Sequence, residues 1–218
     1  MIKTKGFFIT FEGGEASGKT TQIKKLKNWL QKNKIPSLIT REPGGTKIAE
    51  YLRKIILSKK ENVSINMEVL LLMTSRLDHL NKVIIPALNN NKIVICDRYV
   101  DSTAIYQGYY NKFGVQKIYQ LHKLLLNNFL PDLTFVFNNN PNIAKKRLLK
   151  RKNKNKYDKV DYKFNNKINS AFIKLAKKNS RFIIIDATLS INEIHDIIIS
   201  YLINKKSLNE FKKSKYNK

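Results

Sequence analysis

The sequence predicts an α/β fold: a five-stranded parallel sheet covered by helices on both faces. Three observations carry this. Residues 7–11, 35–40, 92–97, 133–137 and 182–186 are short runs rich in aliphatic and β-branched side chains, the signature of buried strands. The stretches between them carry apolar residues at helical spacing, and strand–helix alternation builds parallel crossovers. The third observation is the loop Gly13-Gly14-Glu15-Ala16-Ser17-Gly18-Lys19-Thr20, which joins the first strand to the first helix.

That loop is G-x-x-x-x-G-K-[ST], a phosphate-binding pattern. Its glycines let backbone N–H groups converge on a phosphate, and the following helix start adds partial positive charge. Lys19 is placed to reach the β/γ-phosphates, and the Thr20 hydroxyl to ligate Mg²⁺. The helix over 21–31 carries Ile23, Leu26 and Leu30 on one face.

The second strand ends in Arg41-Glu42-Pro43-Gly44-Gly45-Thr46. This reads either as a rigid, ligand-facing loop or as an ordinary strand-to-helix turn. A short amphipathic helix follows over 48–57. Residues 67–88 are strongly helical, with Arg76 among Val69, Leu70, Leu72, Met73 and Leu77. Arg76 either snorkels from that face or points into a nucleotide pocket.

The third strand ends at Asp97, where an aspartate holds Mg²⁺ or its water shell beside the loop threonine. Motor and helicase ATPases commonly continue with a glutamate. Here Arg98 and Tyr99 follow, and a cation suits a site that clamps a second phosphate between two nucleotides. In Asp101-Ser102-Thr103-Ala104-Ile105-Tyr106-Gln107-Gly108, hydroxyls and an amide are able to read a base edge. The same stretch also reads as a helix capped by Asp101 or Ser102 with a turn at Gly108.

Residues 119–126 form an apolar helix before the fourth strand. Residues 142–151 form a basic helix with Arg147 and Arg151 four apart on one face. The Lys- and Asn-rich stretch 150–159 is either a loop over the site or solvated low-complexity sequence. Phe164, Ile168, Phe172 and Leu175 mark the next helix, and 191–203 the closing one. Residues 1–204 form one domain, and 205–218 read as a disordered basic tail.

One cysteine, Cys96, excludes a disulfide framework and fits a reducing cytoplasm. No apolar run approaches the roughly 18 residues of a membrane span. The apolar opening runs into Glu12, so it reads as a strand rather than a signal peptide. The net charge of +26 suggests nucleic-acid binding. Yet the chain has 35 lysines and seven arginines, the lysines are spread, and Asn and Ile are also enriched. That pattern reads as drift under an AT-rich genome, with no specific nucleic-acid partner expected.

The loop with its flanks, Phe11 to Thr21, together with Thr40-Arg41-Glu42-Pro43-Gly44-Gly45-Thr46, Asp97-Arg98-Tyr99 and the stretch Asp101 to Gly108, resembles the thymidylate kinases in their bacterial form. Pro131-Asp132-Leu133-Thr134 and Ile185-Asp186-Ala187-Thr188 extend the resemblance over about residues 6–204. It implies a three-layer P-loop NTPase fold with a lid near 150–160. It also implies Mg²⁺, a homodimer, and the reaction ATP + dTMP → ADP + dTDP, a step towards dTTP and DNA synthesis. It places ATP on Gly13, Gly14, Glu15, Ala16, Ser17, Gly18, Lys19, Thr20 and Thr21, and the metal on Thr20 and Asp97. It puts the dTMP phosphate on Arg41 and Arg98. Thymidine lies among Pro43, Leu72, Arg76, Ser102, Thr103, Tyr106 and Gln107, with Glu15 meeting the sugar 3′-hydroxyl.

Two places depart from the bacterial pattern, Leu72 and the lid stretch, while Ala16 separates the chain from the eukaryotic type. Leu72 stands where a phenylalanine usually stacks on thymine. Ala16 stands where eukaryotic-type members carry a loop arginine. The lid stretch Asn155-Lys156-Tyr157-Asp158 stands where Asp-Arg-[aromatic or Ile]-Glu is expected, so Lys156 keeps a point charge without the arginine fork. The expected catalytic cations are Lys19, Arg98, Lys156, Arg151 and Arg147. In-line phosphoryl transfer needs positioning and charge neutralisation, and an ionised phosphate acceptor needs no general base.

Overall fold

The computed structural model describes residues 4–58, 60–149, 157 and 161–204. The five apolar runs form β1 (Phe7–Gly13), β2 (Ser37–Arg41), β3 (Ile93–Asp97), β4 (Leu133–Asn138) and β5 (Phe182–Asp186). They make one sheet in the order β2-β3-β1-β4-β5, parallel throughout. Register aligns the strand ends: Phe11 and Arg41 both lie opposite Asp97. Loops leaving β1, β2 and β3 therefore start from one edge, where open parallel sheets bind ligands.

Side chains alternate across the sheet. Ile9 and Phe11 face α1 (Lys19–Lys32) and α9 (Ile191–Asn204), packing among Ile23, Leu26, Leu30, Ile194 and Ile198. Phe8, Val94 and Cys96 face the other way, among Val69, Met73 and Leu80. Each fully buried aliphatic or aromatic side chain contributes about 1.5–3 kcal/mol. A third cluster sets Phe164, Ile168 and Phe172 of α8 (Tyr162–Ala176) against Val136 and Phe182.

Thr46 caps α2 (Lys47–Leu57), accepting from the Ala49 amide, and Ser64 caps α3 (Ile65–His79). From α3 the chain runs through a π-helical turn, Leu80–Ile84, into α4 (Ile85–Asn89). α6 (Val115–Leu126) and α7 (Pro141–Leu149) complete the set. No described helix is long and apolar enough to cross a membrane.

The segment after Arg98 differs from the capped-helix expectation. α5 (Val100–Thr103) begins without a side-chain cap and passes into a π-helical turn, Ala104–Tyr110. Asp101 and Ser102 do not cap it because their oxygens are engaged elsewhere, Asp101 by Arg181 and Ser102 by Glu12. Gly108 is helical rather than a turn. A Cβ there would lie 3.0 Å from the Val115 Cα, so the glycine allows α6 to approach. π-helical turns are frequent at functional sites, and this one carries Tyr106 and Gln107.

Candidate active site

The loop after β1 turns tightly beside β4. Gly13 has φ +133°, and a Cβ would lie 2.9 Å from the Phe137 carbonyl oxygen, so glycine is required. Lys19 folds back over the loop. Its Nζ donates to the carbonyls of Gly13 (3.1 Å) and Gly14 (2.8 Å) and to Ser17 Oγ (3.2 Å). Arg147 NH1 and Asn139 Nδ2 hold the Ala16 carbonyl from the α7 side.

Burial and Arg98 lower the Lys19 pKa to about 8, against the opposite pull of Asp97, Glu15 and Glu12. As pH rises through that value the free protein loses this cation. Polyphosphate affinity is therefore expected to fall above about pH 8. Calorimetry of ATP binding at pH 8–9, in buffers of different ionisation enthalpy, should show proton uptake, because a phosphate beside Lys19 favours its charged form.

Thr20 Oγ1 lies 3.4 Å from Asp97 Oδ2. The other oxygen, Asp97 Oδ1, is buried with no hydrogen-bond partner among the described residues. A hydroxyl beside a partly unsatisfied carboxylate is a hard-oxygen donor set that fits Mg²⁺.

Arg98 has φ +73°, a backbone conformation costly for a non-glycine residue and retained where surroundings impose it. Its NH1 donates to the Gly13 carbonyl and Ser102 Oγ, both at 3.0 Å, and its NH2 to Glu15 Oε1 at 2.6 Å. The guanidinium also lies over the Tyr106 ring.

Behind this arrangement stands Glu12. Alternation along β1 places it on the Phe8 face, where the Tyr99 amide donates to Oε1 (2.6 Å) and Ser102 Oγ to Oε2 (2.5 Å). Burial and Asp101 push its pKa up to about 8, partly offset by Ser102, Arg98 and the Tyr99 amide. Ser102 Oγ bridges the Glu12 carboxyl and Arg98 NH1, accepting from the guanidinium. Glu12 thus orients the arginine from behind. Glu12→Ala leaves two donors unpaired at about 1–3 kcal/mol each. The KM for the substrate whose phosphate Arg98 would hold is expected to rise by roughly tenfold or more, the scale of one such loss, with the KM for the triphosphate on the loop nearly unchanged. Glu12→Gln, which keeps the acceptor oxygen, should be milder, and initial rates over both substrates decide it.

Lys19, Thr20, Asp97 and Arg98 share one cavity of about 600 Å³. Residues 15–21 of the loop line it, as do Arg41, Pro43, Leu72, Arg76, Asp97, Arg98, Ser102, Thr103, Tyr106, Gln107 and Arg147. Gly13 and Gly14 give their carbonyls to Lys19 instead. Arg151, Lys156 and the tail over 205–218 lie outside the described residues.

Arg76 does not snorkel. It is fully buried, with Nε on Glu42 Oε2 (2.7 Å) and NH2 on Thr103 Oγ1 (2.8 Å). His79 holds the second Glu42 oxygen through Nδ1 (3.1 Å) and meets Thr40 Oγ1 through Nε2 (2.6 Å). Although burial favours its neutral form, Arg76 and His79 hold the Glu42 carboxyl below its ordinary range. The Arg41-Glu42-Pro43 segment faces the cavity. Arg41 sits half-exposed with its NH2 on both Glu50 oxygens, at 2.8 and 3.0 Å.

Sequence reasoning missed Arg53. Its NH1 donates to the Pro43 carbonyl at 2.6 Å, and it lines the cavity. Burial, then Arg41 and Arg98, lower its pKa against the opposite pull of Glu50 and Asp97, and all three arginines line the cavity. On an amphipathic helix this arginine looks like any surface cation. Glu12 carried a usable signal, since alternation along β1 already put it opposite Phe11.

A phosphate loop, a Thr–Asp pair and several arginines around one cavity at the sheet edge fit a P-loop kinase of the class that passes a phosphoryl group between two phosphorylated substrates. The thymidylate kinase family model matches residues 11–198. The chain is 45% identical over 213 residues to the thymidylate kinase of Orientia tsutsugamushi (strain Ikeda), covering 94% of this chain and 97% of that one. It is 42% identical over 207 residues to that of Mycoplasma capricolum, covering 93% and 97%. The crystal structure of thymidylate kinase from Ehrlichia chaffeensis is similar at a TM-score of 0.72 and 34% identity, covering 90% of this chain and 98% of that one. The chain belongs to the thymidylate kinase family.

Proposed function

We propose that the chain transfers the γ-phosphoryl group of ATP to dTMP, giving dTDP for dTTP and DNA precursor synthesis. One observation carries the site reading. A single cavity is lined by Lys19 at the loop and by Arg41, Arg53 and Arg98, and cations gathered around one cavity favour a bound anion. In this reading the ATP phosphates lie on residues 13–21. Arg98, Arg53 and Arg41 take the dTMP phosphate, and Glu15 the sugar 3′-hydroxyl. Pro43, Leu72, Arg76, Ser102, Thr103, Tyr106 and Gln107 enclose the nucleoside.

Thr20 and Asp97 would hold Mg²⁺, which when bound supplies positive charge to the β- and γ-phosphate oxygens. Arg147, Arg151 and Lys156 are the proposed lid-side cations. The acceptor phosphate is already ionised, so the protein aligns it in-line and neutralises developing charge.

A homodimer fits the exposed apolar stripes Ile48, Tyr51 and Ile55 on α2 and Met67, Leu70 and Leu77 on α3, which a second copy would cover. The single buried thiol, Cys96, fits a reducing cytoplasm. ADP formation measured across dTMP, dUMP, dCMP, dGMP and thymidine tests the reading. The highest kcat/KM is expected with dTMP and no turnover with thymidine; a preference for thymidine or a purine monophosphate contradicts it.

A further inference from the structure

We infer that Glu68, aided by Tyr157, fixes the amide of Gln107 so that only its carbonyl faces the acceptor base, selecting bases with a ring N–H. The inference rests on dTMP being the acceptor.

Gln107 stands on the π-helical turn and lines the cavity, although only 3% of its surface is exposed. Its Nε2 donates to Glu68 Oε1 at 2.6 Å and to the Tyr157 hydroxyl at 2.9 Å. The Tyr157 hydroxyl itself donates to Glu68 Oε1. Burial and the neighbouring Glu68 carboxylate raise the Tyr157 pKa, so the phenol keeps its proton. Glu68 is buried on α3, behind the cavity lining that Gln107 belongs to.

An amide oriented the other way would set its oxygen against a carboxylate, which has no hydrogen to offer. Both hydrogens of Nε2 already have acceptors. The group left for a ligand is therefore the carbonyl oxygen, an acceptor. Arg76, a pure donor, lines the same cavity. A donor and an acceptor together match the keto oxygen and N3–H of thymine or uracil. They oppose the amino group and bare N3 of cytosine. A buried polar group left facing its own kind discriminates strongly. With Leu72 in place of a stacking aromatic, recognition of the base edge bears more of the selectivity.

The test is kcat/KM for dTMP, dUMP and dCMP, with the ATP KM, in the full-length wild type, Glu68→Gln and Tyr157→Phe. The wild type is expected to favour dTMP and dUMP over dCMP by roughly 10²-fold or more. In Glu68→Gln the neighbour offers both an oxygen and an amide nitrogen, so Gln107 is free to turn. The dTMP-to-dCMP ratio should then fall by about tenfold or more, the scale of one mismatched hydrogen bond, while the ATP KM stays within about twofold. Tyr157→Phe should lower the ratio less. If Glu68→Gln does not fold, Tyr157→Phe decides alone. A ratio unchanged in the folded variants overturns the inference, whatever happens to total rate, because general loosening would slow all acceptors together. A wild type that turns over dUMP or dCMP but not dTMP overturns the dTMP reading, and the inference with it.

Discussion

Lys19→Met is expected to lower kcat by at least roughly 10²-fold, the scale of losing one preorganised charge-stabilising group, while the protein stays folded. Lys19 is 6% exposed and sits where the loop carbonyls of Gly13 and Gly14 converge on its ammonium. In the free protein those carbonyls hold the cation where polyphosphate would take it over. Its folded pKa of about 8 lies below the ordinary 10.5. The unfolded chain therefore binds more protons between those values, and the charge disfavours folding below about pH 8. Methionine removes that penalty and fills similar volume, which offsets the lost hydrogen bonds. The melting temperature is expected within about 5 °C of wild type. A folded Lys19→Met protein that kept more than about a tenth of wild-type kcat would remove Lys19 from the chemistry, since such losses run to roughly 10²-fold.

Arg98→Ala is expected to weaken dTMP binding by roughly 10²-fold, matching the 2–5 kcal/mol range for truncating one partner of a buried charge pair, and to lower kcat as well. ATP affinity should change little. The guanidinium is held by Gly13, Glu15 and Ser102, and the surrounding Glu15, Asp97 and Glu12 raise its pKa despite burial. Removing it takes away the guanidinium that Glu15 holds where an anionic phosphate must arrive. Arg98→Lys restores charge but not the fork and should recover only part of the loss. Equilibrium titration of each nucleotide decides this: unchanged dTMP affinity with unchanged kcat would take Arg98 out of the site.

The sheet was legible because parallel strands are buried on both faces and read as continuous apolar runs; residues 182–186 matched β5 at both ends. The phosphate loop was legible because its chemistry is local. β2 begins at Ser37 rather than residue 35, because the Ile35 amide closes the end of α1 on the Leu30 carbonyl. The π-helical turn after Thr103 was not legible. Its register follows from the close approach of α6 at Gly108 and from tertiary partners of Asp101 and Ser102, which no local pattern encodes. Arg76 stood open between two readings until Glu42, thirty-four residues away, supplied its partner. Arg53 was hidden for the same reason: its place in the cavity lining depends on the fold and on the Pro43 carbonyl that holds it.

The most direct test of the central claim follows the phosphoryl group itself. The purified full-length chain is incubated with Mg²⁺, ATP labelled at the γ-phosphorus and dTMP, and the products are separated. The expected result is label in dTDP, with one ADP formed for each dTDP. Label recovered only as free phosphate, or in the product of another acceptor while dTMP stays unlabelled, would contradict the account.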